Sequence, residues 1–260
     1  MPPDKNDQLD RVISKIHKRW GSQAIGRSSK QLNGAVSSIA SGFPELDDAL
    51  GIGGIPRGRI SELLGTPASG MTTLALTLLG QAQMVGGTAV YIDIDRTFDP
   101  TYAISCGVFL EQMTLVHPHT AEGALDMLPD IIHNGGFDLI ICDMPGRIQL
   151  GDAISRKLAS TLGRLLAPLS RRNATLLFLT ALSAVNDRVT KDGSHYPRQG
   201  ILPHYTTLRL LFQRDRWLYR QRDVFGCETS ITVIKNKLSA PGRQARITLA
   251  FHDTAGGPDQ

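Results

Sequence analysis

The stretch that most constrains this chain is an apolar strand running into a glycine-bounded turn and then a helix. Arg59-Ile60-Ser61-Glu62-Leu63-Leu64 leads into Gly65-Thr66-Pro67-Ala68-Ser69-Gly70-Met71-Thr72-Thr73, and Thr72 to Val85 has helical character. Such a unit buries its strand on both faces and needs a parallel partner strand. The following sequence supplies candidates. Thr88 to Asp93, Phe137 to Cys142 and Thr175 to Leu179 are near-continuous apolar runs, alternating with helical stretches over Ala121 to Asn134 and Ile154 to Arg172. Pro168 is expected to break or kink the last of these helices. The order β-α-β-α predicts an α/β fold with a mostly parallel central sheet flanked by helices. The C-terminal third changes pattern: Leu208, Leu210 and Phe212, then Ile231 and Val233, then Ile247, Leu249 and Phe251 alternate with polar residues. This period of two predicts antiparallel C-terminal strands added to the sheet.

A chain of 260 residues suits one large domain, or one domain with a small appendage. Residues 7–20 read as an amphipathic helix through Leu9, Val12, Ile13, Ile16 and Trp20, stopped by Gly21. A polar Gly/Ser-rich linker follows. The expected division is 1–38 for helix and linker, 39–253 for the core domain and 254–260 for a flexible tail. Lys plus Arg is 28 against 24 Asp plus Glu, an excess of +4 that permits a polyanionic partner without requiring one. The three cysteines are far apart, with no C-x-x-C spacing, which argues against a disulfide framework or a zinc site. No run approaches 18 uncharged apolar residues, and the N-terminus is polar. No membrane association and a cytoplasmic location are the expectations.

Residues 65–73 have the layout G-x-x-x-x-G-[K]-[ST], with Met71 where the lysine belongs. The glycines let backbone N–H groups close around phosphate oxygens, the helix N-terminus adds its dipole, and the Thr72 hydroxyl suits Mg²⁺. A methionine supplies bulk without charge. Losing one charge-assisted hydrogen bond to phosphate costs roughly 1.5–3 kcal/mol. Asp143 follows the apolar run 137–142 in the position of a carboxylate that holds Mg²⁺ through water. Asp93 and Asp95 end a neighbouring strand, in the crevice where such sheets bind ligands.

Three longer stretches carry a family resemblance. Residues 41–60 (Ser41-Gly42-Phe43-Pro44-Glu45-Leu46-Asp47 onward), residues 91–103 (Tyr91-Ile92-Asp93-Ile94-Asp95-Arg96-Thr97-Phe98-Asp99-Pro100-Thr101-Tyr102-Ala103) and residues 233–241 (Val233-Ile234-Lys235-Asn236-Lys237-Leu238-Ser239-Ala240-Pro241) are similar, in order, to segments of the bacterial RecA recombinase family. The resemblance spans about residues 9 to 251. It implies a RecA-like P-loop NTPase core and a nucleotide site of Gly65, Thr66, Pro67, Ala68, Ser69, Gly70, Met71, Thr72, Thr73, Asp99, Tyr102 and Asp143. ATP is the implied ligand, with Mg²⁺ held by Thr72 and Asp143. It further implies that Lys235 and Lys237 reach a neighbouring subunit's nucleotide, and that residues 7–20 dock on a recombinase or on another copy of the chain.

The resemblance also defines departures. Met71 replaces the lysine. Asp95 stands where the family has its catalytic glutamate, one methylene shorter. A displacement of the base by about 1 Å is worth up to about 100-fold in rate. Ala181 falls where a glutamine senses the γ-phosphate, the first DNA loop is shortened to residues 144–147, and the family's small C-terminal domain is absent. ATP and Mg²⁺ binding is therefore expected to be weak or lost. The loop 184–200 matches the second DNA loop, with Arg188, Lys191, Tyr196 and Arg198 as candidates for single-stranded DNA contact. A further basic set (Arg156, Lys157, Arg164, Arg171, Arg172) has either a DNA role or a helix-end role. The leading expectation is a non-hydrolysing recombination and repair paralogue. The alternatives are an ImuA-like adaptor beside a translesion polymerase, using no nucleotide, and an active DNA-dependent ATPase with a lysine supplied in trans.

Overall fold

The computed structural model describes residues 5–21, 25, 36–134, 136–144, 152–182 and 200–251. The chain divides into two compact units, Met1–Val36 and Ser37–Gln260. The first contains α1 (Lys5–Trp20), with Asp7 in its first turn and His17, Lys18 and Arg19 in its last, so that charge complements the helix dipole at both ends.

The second unit begins with β1 (Ser38–Ile39), α2 (Pro44–Leu50) and β2 (Ile55–Pro56), where β1 and β2 form a small antiparallel pair. It continues with β3 (Ile60–Gly65), α3 (Met71–Met84), β4 (Ala89–Asp93), α4 (Pro100–Ser105) and β5 (Met113–Val116). Next come α5 (Ala121–Asn134), β6 (Leu139–Met144), α6 (Asp152–Arg172) and β7 (Thr175–Ala181). The last elements are α7 (Leu202–Tyr205), β8 (Leu208–Arg220), β9 (Asp223–Asn236) and β10 (Gln244–Ala250). The large sheet has eight strands in the order β10-β9-β8-β3-β7-β6-β4-β5. Strands β8, β3, β7, β6, β4 and β5 run parallel, and β9 and β10 are antiparallel.

Strand alternation sorts the core into two faces. Leu63, Tyr91, Ile141, Leu177, Leu210 and Phe212 join Leu74, Leu78 and Ala82 of α3 in one buried cluster. Ile60, Val90, Ile92, Ile140, Cys142 and Phe178 join the other, beneath Leu125 and Leu128 of α5 and Leu158, Leu162, Leu165 and Leu169 of α6. Helices thus cover both faces, as a buried parallel sheet requires.

The C-terminal strands are antiparallel as expected, β8 with β9 and β9 with β10, while β8 also joins the parallel part of the sheet through β3, Leu63 opposite Leu210. Alternating polarity cannot report strand direction. Other sequence expectations are corrected. The run placed at 137–142 is a strand at Leu139–Met144, so Asp143 lies within it. Pro168 sits inside α6 without ending it. The four leucines that α6 buries span the proline on one stripe, and that packing outweighs one lost backbone hydrogen bond. Part of the basic set on this helix has a structural role. Lys157 Nζ meets Asp126 Oδ2 of α5 at 2.7 Å, and an Arg172 Nη2 donates to the His133 carbonyl at the end of α5. Residues 145–147 of the shortened first loop lie outside the described residues.

The sheet also buries one ion pair. Arg209 Nε of β8 meets Glu62 Oε2 of β3 at 2.6 Å, with both side chains almost wholly buried, and Thr180 Oγ1 of β7 donates to Glu62 Oε1 at 3.0 Å. Burial pushes the Glu62 carboxyl above its ordinary value, with Arg209 opposing the rise. Removing one partner leaves a buried uncompensated charge. Arg209→Met should therefore cost about 3–5 kcal/mol of unfolding free energy. The double variant Glu62→Leu/Arg209→Met should recover most of that in urea denaturation. A single variant as stable as the parent would show that the pair holds nothing together.

Candidate functional site

The turn after β3 is shaped by the strands around it. Gly70 precedes α3 with φ +95, and a Cβ there would run into Leu249 Cδ1 of β10. A Cβ at Gly65 would meet Phe212 Cβ of β8 at 2.9 Å. Glycine is required at both places by close approach, and at Gly70 also by its left-handed backbone. Two loop carbonyls are then held from outside. Thr229 Oγ1 of β9 donates to Ser69 O at 3.1 Å, and Arg214 Nη1 of β8 donates to Ala68 O at 2.9 Å. Within the turn, Ser69 N donates to Thr66 O at 3.1 Å.

This turn forms one side of a cavity of about 530 Å³. The cavity is lined by Thr66 to Thr73, by Asp95, Thr97, Tyr102 and Asp143, and by Leu179, Ala181, Trp217 and Phe251 among others. Two features mark the turn as an anion cradle. No side chain caps the N-terminus of α3, which leaves backbone N–H groups of its first turn facing outward. Ser69 is among the lining residues, and its Oγ is buried with no hydrogen-bond partner, as is the Ser61 Oγ of β3. Such an orphaned hydroxyl is costly unless a ligand engages it. The loop therefore suits phosphate in shape and donor set.

Its charge is another matter. Met71 is 9% exposed and packs into the same cluster as Leu74, Leu78 and Phe212 while still touching the cavity. Across the cavity stand carboxylates. Asp143 Oδ2 accepts a 2.7 Å hydrogen bond from the buried Tyr91 hydroxyl. Burial pushes the Asp143 carboxyl above its ordinary value, the Tyr91 bond opposes this, and the charges of Asp93 and Asp95 add to the rise. Burial and the same carboxylate push the Tyr91 phenol up as well.

The sequence-predicted residues separate in space. Thr66 to Thr73, Asp95, Tyr102 and Asp143 converge on the cavity. Tyr102 is fixed there by a 2.6 Å hydrogen bond between its hydroxyl and Thr73 Oγ1. Asp99 does not line the cavity. Its Oδ1 caps α4, accepting from Thr101 N at 2.8 Å and Tyr102 N at 3.2 Å. Asp93 is turned into the following loop, accepting from Thr97 N at 3.1 Å and Phe98 N at 2.9 Å. Lys235 and Lys237 lie elsewhere. Lys235 Nζ donates to the Pro203 carbonyl, and burial holds it below the ordinary lysine value, with Lys237 and Arg209 adding to the effect. Lys237 is exposed. Arg188, Lys191, Tyr196 and Arg198 lie outside the described residues. Sequence reasoning missed Trp217, Phe251, Tyr91 and Arg214, whose places depend on strand register rather than on any local motif.

A sequence profile of the RecA N-terminal domain matches residues 7–255. Protein RecA of Rubrobacter xylanophilus is 31% identical over 263 residues, covering 96% of this chain and 76% of the relative. Protein RecA of Listeria welshimeri is 31% identical over 260 residues, covering 95% and 75%. Protein RecA of Symbiobacterium thermophilum is 29% identical over 264 residues, covering 96% and 75%. The chain belongs to the RecA family. Within this RecA-like core the strand order, the turn after β3 and the carboxylates of β4 and β6 form one structural unit. Among the described residues, no helix is long and apolar enough to cross a membrane.

Asp143 offers a direct test of the cavity's electrostatics. Its folded-state pKa lies above the unfolded value. The ionised carboxylate therefore destabilises the folded chain, a cost fully present above the folded pKa and gone below the unfolded one. Asp143→Asn should raise the thermal midpoint at pH 7–8 in the absence of divalent cations, and the gain should shrink as pH falls towards 4. A midpoint that drops at neutral pH would mean the carboxylate is stabilised by a partner other than Tyr91.

Proposed function

We propose that this chain is a DNA recombination and repair protein of the RecA family that binds nucleotide weakly and does not turn it over efficiently. It works on DNA, on a recombinase filament, or on both, as a non-hydrolysing paralogue. The observation that carries this reading is a complete phosphate cradle whose cation has been exchanged for Met71, a side chain drawn into the core.

The chain's own groups define what the cleft does. The first turn of α3, Gly70 to Thr73, offers N–H groups and the helix dipole to phosphate oxygens. Thr72 and Asp143 are the groups suited to Mg²⁺, whose charge offsets that of phosphate when it is bound. Tyr102, fixed by the bond between its hydroxyl and Thr73, stands where the family resemblance puts a base-stacking ring. Asp95 is a poor base for an attacking water, because its carboxylate is one methylene short of the family's glutamate. Ala181 has no polar group with which to report on a terminal phosphate. Burial raises the Asp143 carboxyl, the Tyr91 bond opposes the rise, and the charges of Asp93 and Asp95 add to it. A positively charged group at position 71 would relieve it.

Contact with single-stranded DNA through Arg188, Lys191, Tyr196 and Arg198 belongs to this proposal, as does docking on a neighbouring subunit through residues 7–20. A lysine supplied in trans is less favoured, since Lys235 is already engaged with Pro203 in its own subunit. Lys237 alone is free to reach outward.

The deciding experiment is an equilibrium titration with a fluorescent ATP analogue and Mg²⁺ at physiological salt. Micromolar binding competed by ATP, with negligible turnover with and without DNA, is expected. Met71→Lys should tighten binding about 10-fold or more, the worth of one charge-assisted phosphate bond. DNA-stimulated hydrolysis by the parent protein that Asp143→Asn abolishes would overturn the non-hydrolysing assignment. No binding up to millimolar nucleotide by the folded protein would make the loop a relic and favour the adaptor.

A further inference from the structure

Two aspartates stand side by side at one end of the sheet, and the chain handles them differently. Asp93 of β4 and Asp143 of β6 are direct partners on adjacent parallel strands, so their side chains leave the sheet on the same face. Like charges in that position repel. Asp93 is buried and uses its two oxygens to accept from the backbone N–H groups of Thr97 and Phe98. Asp143 lines the cavity, and among the described residues the donor to its carboxylate is the Tyr91 hydroxyl, 2.7 Å from Oδ2. Tyr91 stands behind the cavity wall. Its partner on β6 is Ile141, and Asp143 lies two residues, roughly 6.6 Å, further along that strand. The phenol bridges this diagonal, a reach open to an aromatic side chain. The ring is also braced. It is 1% exposed, packs in the cluster with Leu74 and Leu78 of α3, and meets the Phe98 ring at 5.3 Å and 58°.

We propose that Tyr91 is the positioning residue for the divalent cation of this cleft: its hydroxyl holds Asp143 Oδ2 and leaves Oδ1 to accept from a water of the ion's hydration shell. The inference rests on the nucleotide reading above and adds which side chain outside the cavity governs its affinity. Charge is the reason that this one bond matters. The residues lining the cavity include no lysine, arginine or histidine. Phosphate charge is then met by backbone N–H groups, by the dipole of α3 and by Mg²⁺. Mg²⁺ keeps several waters and is bound through one or two carboxylates together with phosphate oxygens. The order of Asp143 therefore counts for more here than beside a loop that carries its own cation. A carboxylate held in place before the ligand arrives need not be ordered when it binds. A phenol suits this task because it donates a hydrogen bond without adding charge. It fixes the acid and leaves its attraction for a cation in place. Glu62 shows the alternative, since the Arg209 guanidinium at 2.6 Å neutralises the acid that it holds.

The experiment compares ADP binding with Mg²⁺ and with EDTA, by calorimetry, in the parent protein and in Tyr91→Phe, which keeps the ring and removes the hydroxyl. In the parent, Mg²⁺ should tighten ADP at least about 10-fold, and in Tyr91→Phe that enhancement should fall to about threefold or less, a loss of the size of one hydrogen bond to a charged group. Asp143→Asn should lose the enhancement as well. Adding Tyr91→Phe to Asp143→Asn should change it no further, because the hydroxyl acts through that carboxylate. A phenol with a merely structural role would lower the thermal midpoint of the free protein and leave the ratio of the two affinities where it was. An enhancement that survives in folded Tyr91→Phe would overturn the positioning role and leave nucleotide binding intact. Equal affinity for ADP with and without Mg²⁺ in the parent would overturn it too. Failure of the folded parent protein to bind ADP under either condition would end both this inference and the reading beneath it.

Discussion

The cleft depends on how tightly the turn after β3 is pressed against β8, β9 and β10. Gly65 faces Phe212, Gly70 faces Leu249, and Thr229 and Arg214 each hold one loop carbonyl. None of these contacts involves position 71. The shape of the phosphate cradle is therefore set by packing and by hydrogen bonds on its outer side. A lysine at this position would answer to a ligand, and its loss removes charge without removing the architecture. Met71 adds to the core at the same time, since an unbranched thioether fills irregular apolar space with little strain. Fold and ligand charge balance are thus separable here, and the chain has kept one while altering the other.

The carboxylates show what the alteration leaves behind. Tyr91 and Asp143 are held together in a buried pair, and the neighbouring acids raise the Asp143 carboxyl further. Such an arrangement would be selected against in a purely structural core, because burying acids near one another costs stability. Its presence beside an open cradle with an unpaired Ser69 hydroxyl marks a place where ligand binding, rather than packing, set the side chains. The Glu62–Arg209 pair makes a useful contrast. There a buried acid has a buried base at 2.6 Å, and the group serves to join β3 to β8. Two acidic sites lie on the same sheet, one compensated within the chain and one not.

Much of this was legible in the sequence. Gly65 to Thr73 announced a strand, a cradle and a helix because each position has a steric or hydrogen-bonding reason for its residue type. The buried strands β4, β6 and β7 were legible as apolar runs too long and continuous to be half-exposed. What escaped was set at a distance. Leu208, Leu210 and Phe212 alternate identically whether β8 runs parallel or antiparallel to its neighbour, and only the connection through α7 decides. Trp217 reaches the cavity because it pairs with Cys227, which pairs with Leu249. Nothing near Trp217 in sequence records that. Asp99 has a role that the sequence reading did not name. An aspartate before proline at the start of a short helix is a strong cap signal, and the cap accounts for the residue by local chemistry alone.

A nucleotide drives a conformational cycle only if the protein binds its two forms differently, since a ligand with equal affinity for both states shifts nothing. In a hydrolysing P-loop protein that difference is created at the terminal phosphate, by a cation in the loop and a polar sensor on an adjacent strand. Here both positions are apolar, Met71 and Ala181, and the groups that remain nearby are acids. On the non-hydrolysing reading proposed above, a cleft of this composition is suited to constant occupancy and ill suited to switching. Nucleotide bound in it would act as a structural component, comparable to a buried side chain supplied from solution. A subunit carrying it would add a fixed element to whatever assembly it joins, with no clock to release it.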